Sequence, residues 1–316
     1  FFSVVSLCLL QAAKCSKPRI MSSFDARAFA ATLLYSCDYS KWPSDLQQCW
    51  AQLGADEGTL EFLEEANKVR PGVWGDMLRG MLRSFMNVYD MNGLLQGCPM
   101  YVASTAQWAQ LLGDKAGGRL LDVGAGDGRV TQTLAPLFSS VTCTETSWSM
   151  ARVLRRKGYE CFKTDLVTGA VPDAVFDVVA ILNVLDRCSQ PQSLLNNATA
   201  LLKDGGCLVI ALVLPYYPCV YYGNRTYRPK ERLCVWDPDF EGAVLQLVNE
   251  VLTPLGYTVQ TISRCPYIST GDAHTQFYTL DDVILVCRKD PPIKSEPGEG
   301  HAVLPQGGLD NEDGTA

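Results

Sequence analysis

Apolar residues along the first third of the chain recur at helical spacing, in clusters at residues 24–34 and 60–66 that Trp42-Pro43 interrupts. That rhythm predicts a helical lead-in. Residues 73–91 repeat it, and Asn92-Gly93 reads as a helix stop. From Arg119 the pattern changes to short β-branched and aliphatic runs separated by helical stretches. Such alternation predicts βαβ units on a parallel sheet. The strands expected are 119–123, 141–144, 159–162, 176–182, 207–214, 258–263 and 278–287. The helices between them are expected at 128–138, 147–157, 191–202 and 240–255. The connection between the last two strands carries no helical pattern, so a crossover does not fit and those two strands should pair antiparallel.

Four segments follow from this: an apolar segment 1–20, a helical lead-in 21–112, an α/β domain 113–290 and a tail 291–316. The tail is rich in Pro, Gly and acids, so it buries too little apolar surface to offset ordering and is expected to be disordered. Residues 1–13 are apolar and are followed by Lys14, Lys17 and Arg19. They read as the end of a signal peptide or anchor if residues precede Phe1, and are irrelevant if Met21 is the start. The run is too short to span a bilayer unaided. An endoplasmic-reticulum, cytoplasmic or mitochondrial location is each compatible with this, and strong membrane association would need that segment to be an anchor.

Composition changes the picture in two places. Hydrophobic residues make up 47% and charged residues 19%, which suits a folded enzyme, and the formal net charge is −7. An acidic chain is poorly matched to a phosphate backbone, so no nucleic-acid partner is expected. The 13 cysteines include no CxxC pair, and only two histidines are present, so no metal site is expected. Cys143, Cys161, Cys207 and Cys287 sit in apolar runs and read as small buried hydrophobes.

The chemistry concentrates at Leu121-Asp122-Val123-Gly124-Ala125-Gly126-Asp127-Gly128, a strand running through glycines into a helix. Glycines permit a sharp turn and close approach to a ligand, and the helix start offers unpaired N–H groups. Arg129 occupies the third glycine's place in the dinucleotide fingerprint, which disfavours an NAD oxidoreductase. Asp122, two residues before Gly124, would repel a pyrophosphate but suits an amino-acid ammonium. Glu145 follows 23 residues later, where an acid accepts ribose hydroxyls, and Asp165 past the third strand is placed for an adenine amino group. With Gly124, Gly126 and Asp127, these acids point to S-adenosylmethionine as cofactor, although any one of them taken singly also reads as a solvated loop residue.

The fourth strand ends in Ile181-Leu182-Asn183-Val184-Leu185-Asp186-Arg187-Cys188, which lacks the Asn/Asp-Pro-Pro-aromatic run of amino-methylating enzymes. Pro218-Cys219 falls after strand five, so it does not match the nucleophilic cysteine of RNA cytosine-C5 enzymes. Asn183 and Asp186 are the acceptor-side candidates. The bland readings are that Asn183 caps the strand end and Asp186 pairs with Arg187.

The glycine loop, the Leu182–Cys188 run, Ala211-Leu212-Val213-Leu214-Pro215, Pro266-Tyr267, Gly271-Asp272, Tyr278 and Leu280-Asp281-Asp282 resemble the DREV family. Ser84-Phe85-Met86 and Asn92-Gly93-Leu94-Leu95 resemble it too, so the likeness covers about residues 84–286. The resemblance implies a Rossmann-like class I methyltransferase sheet of seven strands, the last antiparallel, with a helical N-terminal extension. It implies protein-histidine methylation on the ring nitrogen nearer the backbone, in His-x-His segments of His-rich substrate proteins. It also implies Asn183 and Asp186 as catalytic and substrate-binding, Asn183 at the cofactor as well, and Tyr267 and Tyr278 as acceptor-pocket walls. Tyr278 reads equally as sheet core, and the aromatic residues 215–227 as a substrate groove or a cover. A small-molecule methyltransferase and a non-catalytic methyltransferase-like module are the rival readings.

Overall fold

A computed structural model describes residues 24–68, 88–95, 99–172, 175–222, 225–271 and 275–291. The apolar segment 1–20, nearly all of the tail, most of the helix expected at 73–91, Ser84-Phe85-Met86 and His274 lie outside the described residues. No helix among the described residues is long and apolar enough to cross a membrane.

The strands in chain order are β1 (Met100–Tyr101), β2 (Arg119–Val123), β3 (Ser140–Thr144), β4 (Glu160–Phe162), β5 (Phe176–Leu182), β6 (Leu202–Val213), β7 (Val220–Tyr222), β8 (Arg225–Tyr227), β9 (Tyr257–Thr270) and β10 (Phe277–Lys289). The α-helices are α1 (Ala26–Ala30), α2 (Ser44–Gln48), α3 (Glu57–Lys68), α4 (Val88–Leu95), α5 (Thr105–Leu112), α6 (Arg129–Leu134), α7 (Trp148–Arg156), α8 (Pro191–Ala200) and α9 (Phe240–Gln246). The main sheet runs β1-β9-β10-β6-β5-β2-β3-β4. Strands β2 to β6 pair in parallel, and β10 runs antiparallel to both β6 and β9. This is the expected seven-strand class I arrangement, with the last strand reversed, and β1 extends it at one edge.

The central strands carry their apolar residues on both faces, as buried parallel strands do. On one face Val179, Ile181, Leu208 and Ile210 pack beneath α8 and α9. On the other Val178, Ala180, Val209 and Ala211 pack beneath Trp108 and Leu111 of α5. The N-terminal lead-in joins these same cores: Trp42 and Leu46 enter the first, Tyr35 and Leu53 the second. Ala51 N–H donates to the Ile262 carbonyl and Ile262 N–H to the Cys49 carbonyl, both at 2.8 Å, so the lead-in is stitched to the middle of β9. It also supplies β1, a strand its helical spacing does not predict. Cys143, Cys161, Cys207 and Cys287 are buried free thiols, as expected.

Several elements depart from the sequence expectation: β6 begins at Leu202 and β9 runs on to Thr270, outside their expected limits, and the helix expected over 128–138 ends at Leu134 with a 3-10 turn behind it. The helix expected to stop at Asn92-Gly93 runs on to Leu95. Packing overrides the local stop signal, because Gly93 lies against α7, where an added Cβ would come within 2.3 Å of Ser149 Oγ and 2.9 Å of the Met150 backbone nitrogen. The helix expected over 240–255 begins as α9, then opens into a π-helical segment (Leu247–Leu252) and a 3-10 turn (Thr253–Leu255).

Candidate active site

The carboxyl ends of β2, β3 and β5 converge where the sheet meets the glycine loop. The loop is tied to the end of β3: Gly124 N–H donates to Thr144 Oγ1 (3.3 Å), Ala125 N–H to the Thr144 carbonyl (3.0 Å) and Gly126 N–H to Glu145 Oε2 (2.9 Å). Gly124 and Gly126 hold φ of 70° and 59°, the left-handed region that only glycine occupies freely. At Gly124 a Cβ would also strike Val184 Cγ2 at 2.7 Å, whereas at Gly126 the nearest atom would be Met150 Sδ at 3.8 Å. The backbone at Gly126 is thus open on the side where a ligand would lie.

The acids differ in circumstance. Asp122 is 2% exposed and sits beneath the loop, its Oδ2 accepting from the Thr131 hydroxyl at 2.6 Å. Burial pushes its pKa up to about 6, Thr131 opposes this, and the charge of Glu145 adds to it. Glu145 is buried, accepts Ser147 N–H (2.8 Å) as well as Gly126 N–H, and is likewise raised by burial against those hydrogen bonds. Asp127 is half-buried and turned to Arg129, whose Nε lies 3.4 Å from its Oδ2. Asp165 is exposed, and its Oδ1 accepts Val167 N–H (3.0 Å) and Thr168 N–H (2.8 Å), closing a local turn. Burial would raise Asp165, but those hydrogen bonds outweigh it and its pKa is lowered. Of the expected cofactor acids, Asp122 and Glu145 are therefore grouped at the glycine loop, while Asp127 and Asp165 are occupied by their own neighbours.

Helix α4 packs against α7 beside the glycine loop's acids. Asp90 accepts the Ser147 hydroxyl at 2.5 Å, and its carbonyl accepts the Ser149 hydroxyl at 2.8 Å, pinning α4 to the start of α7 beside Glu145. The neighbouring Tyr89 packs edge-on against Tyr221 of β7, with ring centroids 6.5 Å apart.

At the end of β5, Asn183 adopts φ of 57° and its N–H donates to the Ala211 carbonyl at 2.9 Å. Its Nδ2 donates to Asp282 Oδ2 at 2.7 Å. Asp186 Oδ2 lies 3.4 Å from Arg187 Nε, so the bland pairing is present. That pairing does not exhaust the carboxylate, because Asp186 Oδ1 is buried without a partner, as are Asn183 Oδ1 and Asp282 Oδ1. Burial raises Asp186, with Arg187 opposing. The Arg187 guanidinium lies over the Tyr267 ring, 5.8 Å from its centroid. Tyr267 is buried, its hydroxyl reaches Met100 Sδ at 2.8 Å, and burial pushes its pKa up to about 12, so it stays a neutral phenol. Tyr278 pairs with Ser269 while Tyr267 pairs with Leu280, so both tyrosines fall on one sheet face, with Tyr278 half-buried.

Residues 215–222 and 225–227 rim this end. Cys219 N–H donates to the Asp186 carbonyl at 2.7 Å, the chain turns through the β7–β8 hairpin, and Lys230 N–H returns to the Ser189 carbonyl at 2.8 Å. Tyr217 and Tyr227 stand exposed on it. Tyr89 was not among the sequence candidates, Arg187 was expected only as the partner of Asp186, Tyr221 only as one of residues 215–227, and Asp282 was given no role. Asp282 left a trace in the run Leu280-Asp281-Asp282, where two acids precede the apolar run of the strand.

A sheet with a reversed strand, a glycine loop and buried acids at two strand ends is the arrangement of the class I methyltransferases. The model of the DREV methyltransferase family matches residues 34–289. The chain belongs to that family. It is similar to a demethylmenaquinone methyltransferase of Tropheryma whipplei, 30% identical over 155 residues that cover 44% of this chain and 63% of that protein. It is also similar to a ubiquinone biosynthesis O-methyltransferase of Xanthomonas oryzae, 30% identical over 105 residues, 31% of this chain and 44% of that one. The chain thus spans less than two thirds of the length of these curated relatives. Among solved structures it resembles the N-methyltransferase NodS of Bradyrhizobium japonicum in complex with S-adenosyl-L-homocysteine (TM-score 0.39, 16% identity, 58% of this chain and 85% of that one). A putative methyltransferase of Bacillus halodurans gives a TM-score of 0.42 at 14% identity, covering 59% and 99%.

Proposed function

We propose that the protein methylates histidine in substrate proteins, on the ring nitrogen nearer the backbone, within His-x-His segments. The observation that carries this reading is the pair of buried, partnerless oxygens at the end of β5, Asn183 Oδ1 and Asp186 Oδ1. Buried acceptors without partners are rare and want a donor. A neutral imidazole brings one N–H and one lone pair, and its ordinary pKa of about 6.5 leaves much of it neutral near pH 7.

The residues present suit the cofactor: Gly126 leaves its backbone open, Glu145 is placed for ribose hydroxyls, and Asp122 supplies a carboxylate beneath the loop. Bound S-adenosylmethionine supplies an electrophilic methyl on positively charged sulfur. Asp186 or Asn183 accepts the far N–H of the ring and so fixes the tautomer in which the near nitrogen carries the lone pair. Asp186 then faces the positive charge that the ring acquires as its near nitrogen gains the methyl. Tyr267 and Tyr278 wall the ring, and Tyr217 and Tyr227 on the rim offer aromatic surface to the flanking peptide. Asp127 and Asp165 are assigned to the loop and turn that carry the cofactor.

Methyl-labelled S-adenosylmethionine with a His-x-His peptide, and the same peptide with both histidines replaced, tests the reading. Label on the near ring nitrogen of the first peptide alone is expected. Label on another acceptor would overturn it. The rival small-molecule reading draws on the names of the quinone methyltransferase relatives and predicts turnover of a quinol instead. Calorimetry without S-adenosylmethionine binding would support a non-catalytic module.

A further inference from the structure

Asp282 is fully buried within β10, where that strand begins to pair with β6, and is followed by Val283, Ile284 and Leu285 in the apolar core. A carboxyl group in such a place is costly unless it is hydrogen-bonded, and an apolar residue would serve the strand better. Its bond from Asn183 Nδ2 uses one oxygen and leaves the other without a partner. A purely structural acid would be expected to satisfy both.

We infer that Asp282 is a positioning residue, which holds the Asn183 amide so that its oxygen, and not its nitrogen, faces the acceptor. The inference rests on the reading that the end of β5 receives the acceptor. The backbone of Asn183 is fixed by its left-handed φ and its bond to the Ala211 carbonyl, so the remaining freedom is which end of the amide points where. With Nδ2 held by Asp282, Oδ1 is left to accept. Turned around, the amide would present two N–H donors to the pocket. A donor there would bond the lone pair that must attack the methyl and would silence the nucleophile. Burial pushes Asp282 well above the usual carboxyl range, the Asn183 amide and Arg187 oppose this, and Asp186 adds to it. A neutral carboxyl still accepts through its carbonyl oxygen, so the bond from Nδ2 does not require the ionised form. The acceptor class that follows is a neutral nitrogen heterocycle with an N–H opposite its lone pair.

The test compares Asp282→Leu, Asp282→Asn, Asn183→Asp and the double variant Asn183→Asp/Asp282→Asn. Each is measured for kcat and KM on the acceptor that the wild-type protein methylates, for S-adenosylhomocysteine affinity, and for Tm. D282L is expected to lose on the order of tenfold to a hundredfold in kcat, with S-adenosylhomocysteine affinity held. D282N keeps a carbonyl that can accept from Asn183 and is expected to fall between D282L and wild type. N183D sets carboxyl groups against each other. The double variant restores one amide donor and one outward oxygen, and it should recover at least about tenfold over N183D. Wild-type kcat in folded D282L, no difference between D282N and D282L, or parallel losses of activity, affinity and Tm would each overturn the inference. If D282L does not fold, the N183D pair decides. Methylation of an acceptor other than histidine would overturn the proposed substrate and leave this comparison readable.

Discussion

Replacing Asp122 by Asn should make the protein more stable and its cofactor binding weaker. The carboxylate is 2% exposed, and burial raises it from 3.8 to about 6. At 1.36 kcal/mol per tenfold, the ionised form is disfavoured by up to about 3 kcal/mol in the folded chain. The folded state therefore holds this proton more tightly than the unfolded one. Stability contributed by the protonated group is fully present below pH 3.8 and is lost as pH rises to about 6. Asn does not titrate and still accepts from the Thr131 hydroxyl. D122N should match wild type near pH 4 and exceed it above pH 6, by up to about 3 kcal/mol or several degrees in Tm. Without the charge, the cofactor ammonium loses a charged hydrogen-bond partner worth about 1.5–3 kcal/mol, roughly tenfold to a hundredfold in Kd. Wild-type affinity for S-adenosylmethionine should also rise with pH through about 6, while that of D122N stays flat. Thermal melts and calorimetry from pH 4 to 8 measure both. Unchanged affinity in D122N, or a pH profile identical to wild type, would refute the assignment of Asp122 to the ammonium.

Further outcomes follow from the geometry. Glu145→Ala removes the acceptor of both Gly126 N–H and Ser147 N–H, and it should cost about 1–3 kcal/mol of stability together with cofactor affinity, read by melts with and without S-adenosylhomocysteine. Gly93→Ala forces a methyl onto Ser149 and Met150 and should cost about 1–3 kcal/mol by lifting α4 from α7; an unchanged Tm would mean that the contact is not tight. Tyr217→Ala with Tyr227→Ala should raise KM for a peptide acceptor several-fold, about 1 kcal/mol, while leaving S-adenosylhomocysteine affinity alone; equal effects on both would remove the rim from the substrate.

The legible parts of this molecule are those where one local signal dominates. Strands β2 and β5 match their expected limits because each is an unbroken apolar run. The reversed hairpin β9–β10 follows from a connection without helical spacing. Where signals compete, the reading fails: Asn92-Gly93 looks like a stop, but the packing of Gly93 on α7 decides. The β7–β8 hairpin is hidden because each of its strands is only 3 residues long, too short to show an alternation. Asp165 occupies the strand end expected of a ligand-binding acid, yet the amides of Val167 and Thr168 lie within its reach and it closes a turn. Asp186 could be placed but not its free oxygen, which depends on the packing of Tyr267 and Arg187 around it.

Asp282 was the least legible residue, and the reason lies in the topology. In a parallel sheet, ligands meet the carboxyl ends of the strands, so searching strand ends finds Asp122, Glu145 and Asn183. A strand that runs the other way brings its beginning to that same end. Strand β10 is antiparallel to β6, and Asp282 pairs with Val213, the last residue of β6. The reversal thus delivers the point where β10 begins to pair with β6 beside the end of β5, where Asn183 donates to Asp282. Of the adjacent acids, Asp281 pairs with Arg264 at 2.7 Å, and the two-residue alternation of a strand sends the next side chain to the opposite face. A single register therefore decides which acid lies beside Asn183. Insertion of one residue into the β9–β10 turn that slipped this register would exchange them, placing the salt-bridging acid beside Asn183 and Asp282 opposite Arg264.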